Sequence, residues 1–107
     1  LISLVLYMPI SVKISKSKNK AKKYMAQFFE PDGKKVKTIH FGAAGMSDYT
    51  KNKDPERKKL YLARHKKNEN WSRYMTAGSL SRYILWNLPT LEASKRDYAR
   101  RFGLKLM

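Results

Sequence analysis

The residues of this chain that could do chemistry cluster in one stretch, FGAAGMSDYTKNKDPERKKLYLARHKKNENW, from Phe41 to Trp71. His40 and His65 are the only histidines, and Gly42, Gly45, Asp48 and Asp54 lie between them. Zinc needs three or four ligands at close quarters. Two histidines with scattered carboxylates offer no such spacing, and a chain with no cysteine has neither thiolate sites nor disulfides. His65 reads instead as charge balance at a helix end or as a polar contact. Gly42-Ala43-Ala44-Gly45 follows an expected strand, where a phosphate loop could be placed. A Walker loop ends in Gly-Lys-Ser/Thr, whereas Met46-Ser47 follow in this chain, and the dinucleotide fingerprint needs a third glycine. The GxxG clamp of one RNA-binding module lies between helices. The pair therefore reads as a tight exit from a strand, where glycine adopts conformations other residues avoid. No two of the eight carboxylates are placed as an acid–base pair, and no Ser or Lys occupies a nucleophile signature. An enzyme, a cofactor and a small-molecule substrate are not expected.

The cations are more informative. The formal charge is +16, from 24 Lys and Arg against 8 Asp and Glu. Repulsion at that charge opposes a compact state, so a polyanionic or acidic partner is expected. The candidates are nucleic acid, an anionic membrane surface and an acidic protein face. Lys13, Lys16, Lys18, Lys20, Lys22 and Lys23 crowd the N-terminal part. Arg57, Lys58, Lys59, Arg64, Lys66 and Lys67 crowd a helix, and Arg100 and Arg101 mark a later one. All are candidates for partner binding. The two Trp, seven Tyr and four Phe supply core side chains or stacking platforms. Core packing is the expected role for most of Tyr24, Phe28, Phe29, Trp71 and Tyr74.

The elements that position these groups form one small α+β domain. A length of 107 residues suggests a single domain with a modest core. Residues 1–22 read as an apolar and basic N-terminal strand and connector, and residues 23–107 as the domain. LISLVLYM at the start is too short to cross a bilayer and lacks the flanks of a signal peptide. Leu1–Tyr7 reads as an extra strand or docking tail. Ile10, Val12 and Ile14 alternate with polar residues, as in a half-buried strand. Ser15–Lys23 reads as a connector and Lys23–Phe29 as a second strand. Glu30–Lys35 carries the turn signals Pro31, Asp32 and Gly33, and Lys35–Phe41 returns as a third strand. Helices follow. Asp54 caps the first and Pro55 suits its first turn, with Leu60, Tyr61 and Ala63 near one side. Thr76 and Thr90 cap two more, Pro89 separates them, and Gly103 is a natural stop. Three antiparallel strands followed by about three helices are expected.

Several pieces together resemble a known family. They are Phe41-Gly42, Ser47-Asp48, Asp54 with Arg57 and Lys58, Tyr61, Arg64-His65, Asn68-Glu69 and Leu85-Trp86-Asn87. The chain from about Lys23 to Leu104 resembles short basic proteins of unknown biochemistry encoded by nucleocytoplasmic large DNA viruses. Many members have His where Asn52 lies in this chain, so the resemblance implies no histidine site and no catalytic residue. It implies a virion-associated protein. Two functions are expected on this basis. The first is a minor capsid or cement protein that bridges major and minor capsid proteins in the virion shell, and is present in host cytoplasm during assembly. The alternative is a nucleic-acid-binding protein contacting genome phosphates.

Overall fold

The computed structural model describes residues 9–107. The strand or tail expected over Leu1–Tyr7 lies outside the described residues. Three strands come first: β1 (Ser11–Lys16), β2 (Lys22–Phe29) and β3 (Lys35–Ala43). They pair antiparallel, with Val12 opposite Phe28, Ile14 opposite Ala26, and Ala26 opposite Ile39. These alternate residues share one face, as the period of two requires. The turn between β2 and β3 closes as its sequence suggests. Gly33 takes φ +92°, its N–H donates to the Glu30 carbonyl, and the Asp32 carboxylate accepts from Lys34 N–H.

The segment expected as a connector is a hairpin turn over residues 17–21 whose two ends are already strand. Ser15 and Lys16 belong to β1, and Lys22 and Lys23 to β2. Main-chain pairing tolerates the polar sequence because the Asn19 side chain accepts from Ala21 N–H and the Lys22 N–H donates to the Asn19 carbonyl. Since β1 lies between β2 and a fourth strand, residues 11–22 are built into the same sheet as residues 23–43.

The second half is helical. The short α1 (Tyr49–Asn52) leads into α2 (Pro55–His65). Asp54 caps α2 by accepting from Glu56 and Arg57 N–H, with Pro55 in its first turn. Thr76 caps α3 (Ala77–Leu80), which loosens into a π-helical turn over Ser81–Leu85. Thr90 caps α4 (Leu91–Arg101). At its end Gly103 takes φ +66° and Leu104 N–H donates to the Ala99 carbonyl, which reverses the chain. The tail LKLM then forms β4 (Lys105–Leu106), parallel to β1, giving the sheet order β3-β2-β1-β4. A two-residue strand has too little pattern of its own to be read from sequence. It exists because β1 offers a free edge.

The core lies between one face of the sheet and the helices after residue 76. Val12, Ala26, Phe28 and Phe41 from the sheet meet Leu80, Ile84, Leu85 and Tyr98. The buried Tyr98 hydroxyl donates to the Tyr74 carbonyl at 2.6 Å. Burial, with Tyr74 adding to it, pushes the Tyr98 phenol well above its ordinary value. Gly42 does not release the chain from the sheet, because β3 continues to Ala43. At φ +79°, a Cβ on Gly42 would sit 2.7 Å from a Leu85 methyl, so glycine allows the π-helical turn to lie against the strand. The chain leaves the sheet at Gly45, φ +83°.

Candidate partner-binding surface

The predicted basic residues separate into two groups, according to whether an acceptor lies within reach. Lys13, Lys16, Lys18, Lys20 and Lys22 are exposed on β1, the β1–β2 hairpin and the start of β2. Lys23, the next residue, is not a surface cation. Its side chain is 8% exposed and donates to Asp48 at 2.5 Å. Asp48 is buried, and it also accepts from the Thr50 N–H and hydroxyl as it caps α1. Lys23 is therefore corrected from a partner-binding residue to one half of a buried ion pair, the kind of group that is costly to leave alone.

Helix α2 divides in the same way. Arg57, Lys59 and Arg64 are exposed, as are Lys66 and Lys67 just beyond the helix. Lys58 turns inward. Its ammonium donates to the Asn87 carbonyl at 2.6 Å and lies 5.0 Å from the centre of the Tyr49 ring. Burial, then the nearby Arg82, lowers its pKa. Lys58 is also corrected to a structural cation. The inward side of α2 is Lys58, Tyr61, Leu62 and His65, whereas Leu60 and Ala63 point outward, against expectation. The Asn87 carbonyl turns Lys58 toward the body, and the helical period carries Leu60 out.

Tyr61 is the aromatic centre of this region. Its ring stacks on Trp86 at 4.4 Å and 8° on one side, and on His65 at 4.2 Å and 27° on the other. Burial, then Glu69, pushes its phenol up to about 12, although Arg64 and Arg82 pull the other way. His65 Nδ1 lies 3.5 Å from Glu69, whose carboxylate also accepts from Trp71 Nε1 at 2.8 Å. His65, Trp71 and Trp86 thus order the turn after α2. His40 shares a 2.7 Å hydrogen bond with Ser17 on the other face of the sheet. Among the described residues, no three or more His, Asp or Glu come together as a metal-sized group.

Arg100 and Arg101 are exposed but partly engaged, both donating to Asp97, at 2.6 and 3.2 Å. Burial would raise the Asp97 pKa, but hydrogen bonds from Asn87, Arg100 and Arg101 outweigh it and hold it below its ordinary value. The structural roles of Asn87, Asp97 and Arg82 escaped the sequence reading. Asp97 and Asn87 share a buried 2.6 Å hydrogen bond. Arg82 lies over the rings of Trp71 and Tyr83 and donates to the Trp86 carbonyl. Only Asp48 carried a signal, as an N-cap two residues before Thr50.

Residues 12–65, just over half of the chain, match the model of a family of unknown function, DUF5754. The chain belongs to this family. The DUF5754 match spans β1 to α2 and so includes both members of the Lys23–Asp48 pair, Tyr61 and the outward cations of α2. Trp86 and Asn87, which reach back to Tyr61 and Lys58, lie beyond it, as does Asp97, which holds the Asn87 side chain. No curated protein and no solved structure matches the chain. Among the described residues, no helix is long and apolar enough to cross a membrane.

Proposed function

We propose that this chain is a non-enzymatic structural protein of a large DNA virus particle, a minor capsid component that bridges larger capsid proteins. The viral context rests on the resemblance that runs from Lys23 to Leu104. The observation that carries the bridging role is the distribution of exposed cations. Lys16, Lys18, Lys20 and Lys22 lie at one end of the sheet, and Lys34 and Lys35 at the other, with β2 between them. Eight residues of strand separate those ends by about 26 Å. A third set, Arg57, Lys59 and Arg64, lies on α2, beside the exposed apolar side chains of Met46 and Leu60. Cations on several surfaces with apolar groups among them suit several acidic protein neighbours better than one continuous phosphate backbone.

One observation favours the nucleic-acid reading: the four exposed lysines at alternate positions of a single hairpin could follow successive phosphates. Lysine cross-linking of purified particles, read by mass spectrometry, separates the two. Links from Lys18, Lys20, Lys59 and Lys67 to capsid proteins are expected. Links chiefly to core DNA-binding proteins, with the chain released by nuclease, would contradict the capsid role.

A further inference from the structure

Leu60 and Met46 are conspicuous for a chain with a small core. Leu60 is 63% exposed and Met46 64%. They come from different elements, yet both line one groove of about 170 Å³ between α2 and the segment after β3. The stacked rings of Tyr61 and Trp86 form part of its wall. Arg57 and Arg64 also line it. They are seven residues apart on one helix, so their backbones are about 10 Å apart along its axis, with Leu60 between them. Among the described residues neither guanidinium pairs with a carboxylate. An apolar patch between two cations complements an apolar side chain between two carboxylates.

We propose that this groove docks an acidic protein segment that presents one apolar side chain between two carboxylates about 10 Å apart. Nucleic acid fits it less well. Tyr61 is stacked on both faces and so offers no ring face to a base, and Leu60 and Met46 are aliphatic. The proposal deepens the capsid reading by locating one of its acidic neighbours. The two can fail separately, since particle cross-links through the hairpin would survive loss of the groove.

The test uses the full chain and a fluorescein-labelled nine-residue peptide, with Leu at its centre and Glu three residues before and four residues after it, a spacing of about 10 Å along a helix, read by anisotropy. Saturable binding is expected. The exposed substitution Leu60→Ser should weaken it about tenfold, the worth of one apolar side chain left in water. Arg57→Glu with Arg64→Glu should abolish it. Lys34→Glu with Lys35→Glu, the same change of charge at the far end of the sheet, should leave it within about twofold. Absence of saturable binding, equal losses for the two charge reversals, or full affinity in Leu60→Ser would overturn the proposal. So would a duplex DNA probe that binds more tightly than the peptide and loses affinity with the Arg57 and Arg64 reversal but not with the Lys34 and Lys35 one.

Discussion

Lys22 and Lys23 are neighbours in sequence, yet they belong to different parts of the molecule. Lys22 closes a hairpin whose lysines all face solvent. Lys23 belongs to a corner where three lysines find acceptors: Asp48 for Lys23, the carbonyls of Thr50 and Pro89 for Lys53, and the carbonyl of Asn87 for Lys58. The difference is an acceptor, not a residue type. The α1–α2 corner buries few apolar side chains, with Tyr61 the one buried residue of α2. It is held to the segment from Trp86 to Pro89 by ring stacking and by lysine-to-carbonyl bonds. Among the described residues the exposed lysines of the hairpin pair with no carboxylate, so they remain available to the partner proposed.

The comparison breaks most visibly at Lys23. Lys23→Ala leaves Asp48 buried without its cation and should cost about 3–5 kcal/mol, measured by chemical denaturation. Lys22→Ala should be close to neutral. A similar cost for both would show that the Lys23–Asp48 pair is not structural. Next in size is Asp97→Asn, expected to cost about 1–2 kcal/mol at neutral pH. The carboxyl is held below its ordinary value of 3.8 in the folded chain. Its ionised form therefore stabilises the fold above that value, and the contribution is lost as pH falls through the lower, folded value. The wild type should lose its advantage over Asp97→Asn on acidification, and an unchanged gap would contradict the ion-pair role.

Lys58→Met keeps the length of the side chain and removes the bond to Asn87. A loss of about 1 kcal/mol is expected, with a change in Trp fluorescence because Asn87 adjoins Trp86. The smallest effect belongs to the hairpin. Lys18→Ala with Lys20→Ala should alter stability by less than about 0.5 kcal/mol while weakening attachment to the acidic partner proposed. Destabilisation beyond that range would place these lysines with the structural set.

What could be read from sequence was local. The turn at Glu30–Lys35 and the caps Asp54, Thr76, Thr90 and Gly103 are each decided by a few adjacent residues, and all form as their chemistry dictates. The core face of β1 followed from alternation. What could not be read needs a partner far along the chain. Lys23 finds Asp48 across 25 residues and Lys58 finds Asn87 across 29. Without those acceptors in view, both look like any other lysine in a basic run. Helix α2 was misjudged for the same reason. A sequence cannot show that a distant carbonyl will take a lysine inward and leave Leu60 outside. The parallel pairing of β4 with β1 joins the two ends of the described chain.

Lysine reactivity, followed residue by residue by acetylation and mass spectrometry, tests most directly the separation of structural cations from those proposed to bind partners. In the isolated protein, Lys16, Lys18, Lys20 and Lys22 should label fast and Lys23 and Lys58 slowly. On the capsid role proposed, the hairpin lysines should become protected in the assembled particle. Fast labelling of Lys23 and Lys58 in the isolated protein, or hairpin lysines equally reactive in both states, would contradict the account.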